Sequence, residues 1–127
     1  MKKATGILAI VLVVFSMLYL SNTALASKAA ISVSPKTQVT DVSLGTLANF
    51  TVSDLDGATS VSIQVKPVGS GSYQTITGLS NIVATGNYTK TALEMQGQFG
   101  NGSFTWRALD NFNSSHVSAE KELVIQD

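Results

Sequence analysis

An all-β domain of about seven short strands, preceded by an export leader, is the fold class this sequence predicts. Three observations carry that expectation. Apolar residues recur at every second position in several segments from Ile31 onward, the period of strands with one buried face. Gly, Asn, Asp and Pro clusters separate those segments at short intervals, as turns do. Only 13% of residues are charged, about half the usual ~25%, and Ser, Thr, Gly and Asn take their place.

The first 26 residues read as a leader. Met1-Lys2-Lys3 is basic, Ile7 to Leu20 is almost wholly apolar, and Ala24-Leu25-Ala26 fits the small-x-small cleavage rule. The apolar run is shorter than the about 20 residues that span a bilayer. Cleavage after Ala26 is therefore expected, and membrane attachment only through this segment if it is retained. The second unit, residues 27–127, is expected to be secreted or held in the cell envelope. The chain has no cysteine, which excludes disulfides, thiol nucleophiles and a lipid-anchored cysteine after the leader. Lys28, Lys36, Lys66, Lys90, Arg107 and Lys121 are scattered singly. No basic patch forms in the sequence, and nucleic acid is not an expected partner.

Within residues 27–127 the strands follow in order. Ala30 to Ser34 alternates, with Ile31 and Val33 in phase, and Pro35 ends it at a sheet edge. Leu47 to Ser53 places Ala48, Phe50 and Val52 on one face, then turns at Asp54-Leu55-Asp56-Gly57. Ser60 to Lys66 points Val61, Ile63 and Val65 inward. Tyr73 to Thr77 is a shorter strand. Asn87 to Met95 reads as a strand, because Gly86 and Gly97 leave too few residues for an ordinary helix. Phe104, Trp106 and Ala108 form the central strand, with the only tryptophan. A polar loop is expected from Asp110 to Ser118, and Glu120 to Gln126 closes the chain with Leu123 and Ile125 inward. No segment has the length and pattern of an amphipathic helix.

The stretch GSFTWRALDNFNSS followed by EKELVIQ resembles the last two strands and joining loop of immunoglobulin-like and fibronectin type III-like domains. VSIQVKPVGSGSYQ is similar to their third strand and the turn after it. The resemblance implies an antiparallel, seven-stranded β-sandwich over most of residues 30–127. The cysteine pair and third-strand tryptophan of antibody-type domains are missing, and the tryptophan lies in the penultimate strand instead. A superfold of this kind does not by itself carry a function.

Chemistry is sparse. His116, the only histidine, sits beside Ser114 and Ser115 and after Asp110, and reads as an exposed loop residue rather than part of a Ser/His/Asp site. Asp54-x-Asp56-Gly57 begins like a calcium loop but lacks the further oxygen ligands and closing glutamate. No catalytic residue, metal site or cofactor is expected. Phe112, Tyr73 and Tyr88 are the candidates for stacking on a ligand. Asn49, Asn87, Asn101 and Asn113 each begin an N-x-Ser/Thr sequon and are the candidate glycosylation sites. The expected function is non-enzymatic: cell-envelope structure, adhesion, or binding of a protein or glycan partner at the cell surface. Self-association by strand addition through Ala29 to Ser34 is a variant of it. The alternative is a carbohydrate-binding module using the exposed aromatics.

Overall fold

The computed structural model describes residues 29–83 and 85–127. The leader expected at residues 1–26 lies outside the described residues. In chain order the elements are β1 (Ser32–Ser34), β2 (Thr37–Asp41), β3 (Ala48–Asp54), β4 (Val61–Pro67), β5 (Gln74–Thr75), β6 (Gly86–Lys90), α1 (Ala92–Phe99), β7 (Gly102–Asp110), β8 (Asn113–Val117) and β9 (Lys121–Gln126). They form two sheets and one short helix. One sheet has three strands in the order β1-β3-β6, all antiparallel. The other has six, in the order β2-β9-β7-β4-β5, with β8 also pairing β7.

The alternation anticipated from the sequence is what builds the core. Ala48, Phe50 and Val52 of β3 and Val61, Ile63 and Val65 of β4 are buried, as are Phe104, Trp106 and Ala108 of β7 and Leu123 and Ile125 of β9. These residues form one cluster drawn from both sheets. The edge of one aromatic ring meets the face of another where Phe50 meets Trp106, with centroids 4.9 Å apart and planes at 88°. β1 also packs into its own domain. Val33 pairs with Val52, and Ile31 and Val33 are buried.

The expectation of seven antiparallel strands needs correcting at three places. First, β2 is an additional strand, and it runs parallel to β9, with Val39 opposite Val124. Its buried residues are Thr40 and Asp41, on opposite faces of the strand, while Val39 is exposed. Hydrogen bonds hold it in place of apolar burial. Thr40 Oγ1 donates to the Thr46 carbonyl, and Asp41 accepts from the Leu44 amide at 3.1 Å and from Gln126 Nε2 at 2.9 Å.

Second, the strand expected over Asn87 to Met95 is split. β6 ends at Lys90, and an eight-residue helix follows. Thr91 is its N-cap. The Glu94 amide donates to Thr91 Oγ1 at 3.0 Å, and the Thr91 amide donates back to Glu94 Oε1 at 3.1 Å. This reciprocal capping box satisfies two backbone donors that a helix start leaves open. Gly97, expected to break the pattern, lies inside the helix. Gly100, at φ 77°, ends it instead, and its amide bonds to the Gln96 carbonyl. Met95 anchors the helix in the core. The hydrogen bond from the Thr91 amide, then that from Lys90, holds the Glu94 carboxyl below its ordinary value. Thr91→Ala is expected to lower global stability by about 1 kcal/mol, read as a shifted urea midpoint at unchanged slope.

Third, the segment expected as a loop from Asp110 to Ser118 contains β8. It folds back on β7 with Leu109 opposite Val117 and Asp110 opposite Asn113. Only Asn111 and Phe112 remain at the tip.

Candidate functional site

The end of the β7–β8 hairpin carries Asp110, Asn113, Ser114, Ser115 and His116. The inward phase of β7 runs Phe104, Trp106, Ala108 and then Asp110, so the same alternation that fills the core also buries a carboxylate. β8 returns opposite and delivers His116 to it. The two side chains are buried, His116 at 4% and Asp110 at 5% exposure. His116 was expected in solvent. It is instead enclosed because β8, unrecognised as a strand, turns it inward.

His116 Nδ1 lies 3.0 Å from Asp110 Oδ2, and Nε2 lies 3.1 Å from the Ala29 carbonyl oxygen. Asp56 Oδ2, from the turn before β4, is 3.6 Å from Nε2. A carbonyl only accepts, so Nε2 must carry a hydrogen. On its other side the ring meets the Asp110 carboxyl through Nδ1. The imidazole therefore joins the end of β7 to the backbone at Ala29, with Asp56 of the turn after β3 lying beside it. Ile31, two residues beyond Ala29, bridges to Ser118 in parallel register. Ser118 Oγ accepts from the Ala108 amide at 2.8 Å. The start of the described chain is thereby clamped to the β7–β8 hairpin.

The groups facing His116 Nε2 are the Ala29 carbonyl and Asp56. Ser114 and Ser115 are exposed, and Ser118 is occupied with backbone partners. The Ser/His/Asp geometry is not assembled. In the Asp54-x-Asp56-Gly57 turn, Asp54 Oδ1 accepts from the Asp56 amide at 2.9 Å, while Asp56 faces His116. Among the described residues no group of three or more His, Asp or Glu side chains is placed to hold a metal ion.

The tip itself is braced. Asp110 Oδ1 accepts from the Phe112 amide at 2.9 Å. Asn111 Nδ2 donates to Ser60 Oγ at 2.6 Å and Asn81 Oδ1 at 3.0 Å, and Asn111 Oδ1 accepts from Ser62 Oγ at 2.6 Å. Asn111 thus spends its amide on the scaffold, and this brace had no signal in the apolar pattern. Phe112 is left 80% exposed.

The three aromatics singled out for stacking do not come together. Tyr73 lies on the six-stranded sheet, where its ring stacks on Arg107, with Cζ 3.9 Å from the ring centroid, and its hydroxyl donates to Glu120 at 2.6 Å. Burial, then the Glu120 bond, pushes its phenol pKa up. Tyr88 is on β6 in the other sheet, opposite Phe50 and packed against the core. Phe112 alone stands at the tip. Asn87, Asn101 and Asn113 are exposed, and Asn49 is half-buried.

Compared with known protein families, curated proteins and solved structures, the chain matches none.

Proposed function

We propose that residues 27–127 are an exported, non-enzymatic immunoglobulin-like β-sandwich domain that binds a protein or glycan partner through the β7–β8 tip. The fold part of this reading is supported by the two sheets, with order β1-β3-β6 in one and β2-β9-β7-β4-β5 in the other, and by a first segment that crosses between them at Pro35. Loops at the end of such a scaffold commonly carry binding.

The observation that carries the functional part is Phe112. A large aromatic side chain is held out in solvent at the tip of a hairpin braced by Asp110 and Asn111. Rigid exposed aromatics lose little entropy on binding and are frequent interface anchors. Two clefts elsewhere, of about 190 and 250 Å³, are smaller than the ~300–1,000 Å³ of small-molecule sites.

The test compares labelled wild-type domain and Phe112→Ala on the surface of cells that naturally make the protein. Phe112→Ala is expected to bind roughly tenfold more weakly or worse, with an unchanged unfolding midpoint. Equal binding by both proteins refutes the reading. A glycan array probed with the same pair distinguishes a sugar partner from a protein one.

A further inference from the structure

We propose that Asn87, Asn101 and Asn113 carry N-linked glycans and that Asn49 does not. The proposal rests on export of the domain, and the structure separates the four sequons by the state of the atom that reacts. In N-glycosylation the Asn Nδ2 attacks the anomeric carbon of a lipid-phosphate-linked oligosaccharide. Nδ2 gives up one proton, the new bond is C–N, and the anomeric C–O bond breaks with its electron pair leaving on the lipid phosphate. No oxidation or reduction occurs. The acceptor therefore needs an uncommitted Nδ2 and room for a bulky sugar.

Asn87, Asn101 and Asn113 meet both requirements. In each, the side-chain oxygen is the engaged atom. Asn87 Oδ1 accepts from Thr51 Oγ1 at 2.9 Å, Asn101 Oδ1 from Gln96 Nε2 at 3.0 Å, and Asn113 Oδ1 from the Ser115 amide at 3.1 Å. Nδ2 of these three makes no hydrogen bond with the described residues. All three are exposed, and so are the hydroxyl residues of their sequons, Thr89, Ser103 and Ser115.

Asn49 differs on every count. It is half-buried, and Gln38 brackets its backbone, accepting from its amide at 2.8 Å and donating to its carbonyl at 2.7 Å. Its Nδ2 donates to the Leu47 carbonyl at 3.4 Å. Its sequon hydroxyl, Thr51, is half-buried and spent on Asn87.

The placement also answers two physical needs. β6 is an edge strand of the three-stranded sheet, and a sugar on Asn87 would block pairing with another chain's strand there. A surface drawn from a chain with only 13% charged residues gains hydration from glycans.

Glycopeptide mapping by mass spectrometry, on protein isolated from its natural source, tests this. Sugar is expected on Asn87, Asn101 and Asn113, with Asn49 bare. N87Q, N101Q and N113Q should each lose one glycan's mass, and N49Q none. Sugar on Asn49, or a bare asparagine at any of the other three, overturns the proposal. If the first peptide begins at Ser27 while the three asparagines are bare, export stands and the modification alone fails.

Discussion

Trp106→Ala is expected to cost about 3–5 kcal/mol, a large part of the 5–15 kcal/mol that stabilises a domain of this size. Trp106 is fully buried and meets the ring of Phe50 across the two sheets, so its removal empties the place where they touch. The indole also carries a cost. Its Nε1 is buried without a hydrogen-bond partner among the described residues, and an unmet donor of this kind costs about 1–3 kcal/mol. Trp106→Phe removes that donor and keeps one aromatic ring against Phe50. It should therefore lose far less than Trp106→Ala, although it also creates a cavity. Urea unfolding followed by far-UV circular dichroism gives both values without relying on tryptophan emission. A Trp106→Ala protein within about 1 kcal/mol of wild type would show that the two sheets do not depend on this contact.

The segments legible in the sequence are those whose inward positions are apolar. Val61, Ile63 and Val65, or Phe104, Trp106 and Ala108, announce their strand by alternation alone, because burial of apolar area is what fixes the register. β2 and β8 fail that criterion. The buried residues of β2 are Thr40 and Asp41, and that of β8 is His116, so hydrogen bonds rather than hydrophobic burial hold them in place. The parallel pairing of β2 with β9 joins residues far apart in the chain, and no local pattern encodes it. The helix was readable in principle. Thr91-Ala92-Leu93-Glu94 is a capping-box signature, and the helix it starts runs through Gly97 because Met95 packs into the core.

The site divides in the same way. The exposure of Phe112 follows from a tip made of loop-forming residues, and Asp110 falls on the inward phase of its strand. The partners of His116 do not follow. Asp56 lies before β4, and Ala29 contributes only a backbone oxygen, a group every residue has. The sequons are visible as patterns, but the commitment of Asn49 Nδ2 depends on the Leu47 carbonyl, which no sequon rule includes.

His116→Ala is expected to lower stability by about 3 kcal/mol, and to loosen the start of the described chain more than the rest. Losing the imidazole leaves the Asp110 Oδ2 side of a buried carboxylate without its 3.0 Å partner, unbinds the Ala29 carbonyl, and opens a cavity. Asp110 keeps its bond from the Phe112 amide, so the tip should hold while the clamp on Ala29 is released. Amide hydrogen exchange distinguishes local release from general weakening. In His116→Ala, protection at Ser32 and Val33 in β1 should fall further than at Ile63 and Val65 in β4, which pair with β7 independently of His116. His116→Gln keeps one donor, which can serve either Asp110 or Ala29, and should fall between alanine and wild type. If both variants unfold at the wild-type midpoint with β1 protection intact, β1 is held by its pairing with β3 and the burial of Ile31 and Val33. The hydrogen bond between His116 and Asp110 would then have no mechanical role. If β1 opens selectively, a histidine that reads as loop filler is what fastens the first strand to the hairpin bearing Phe112.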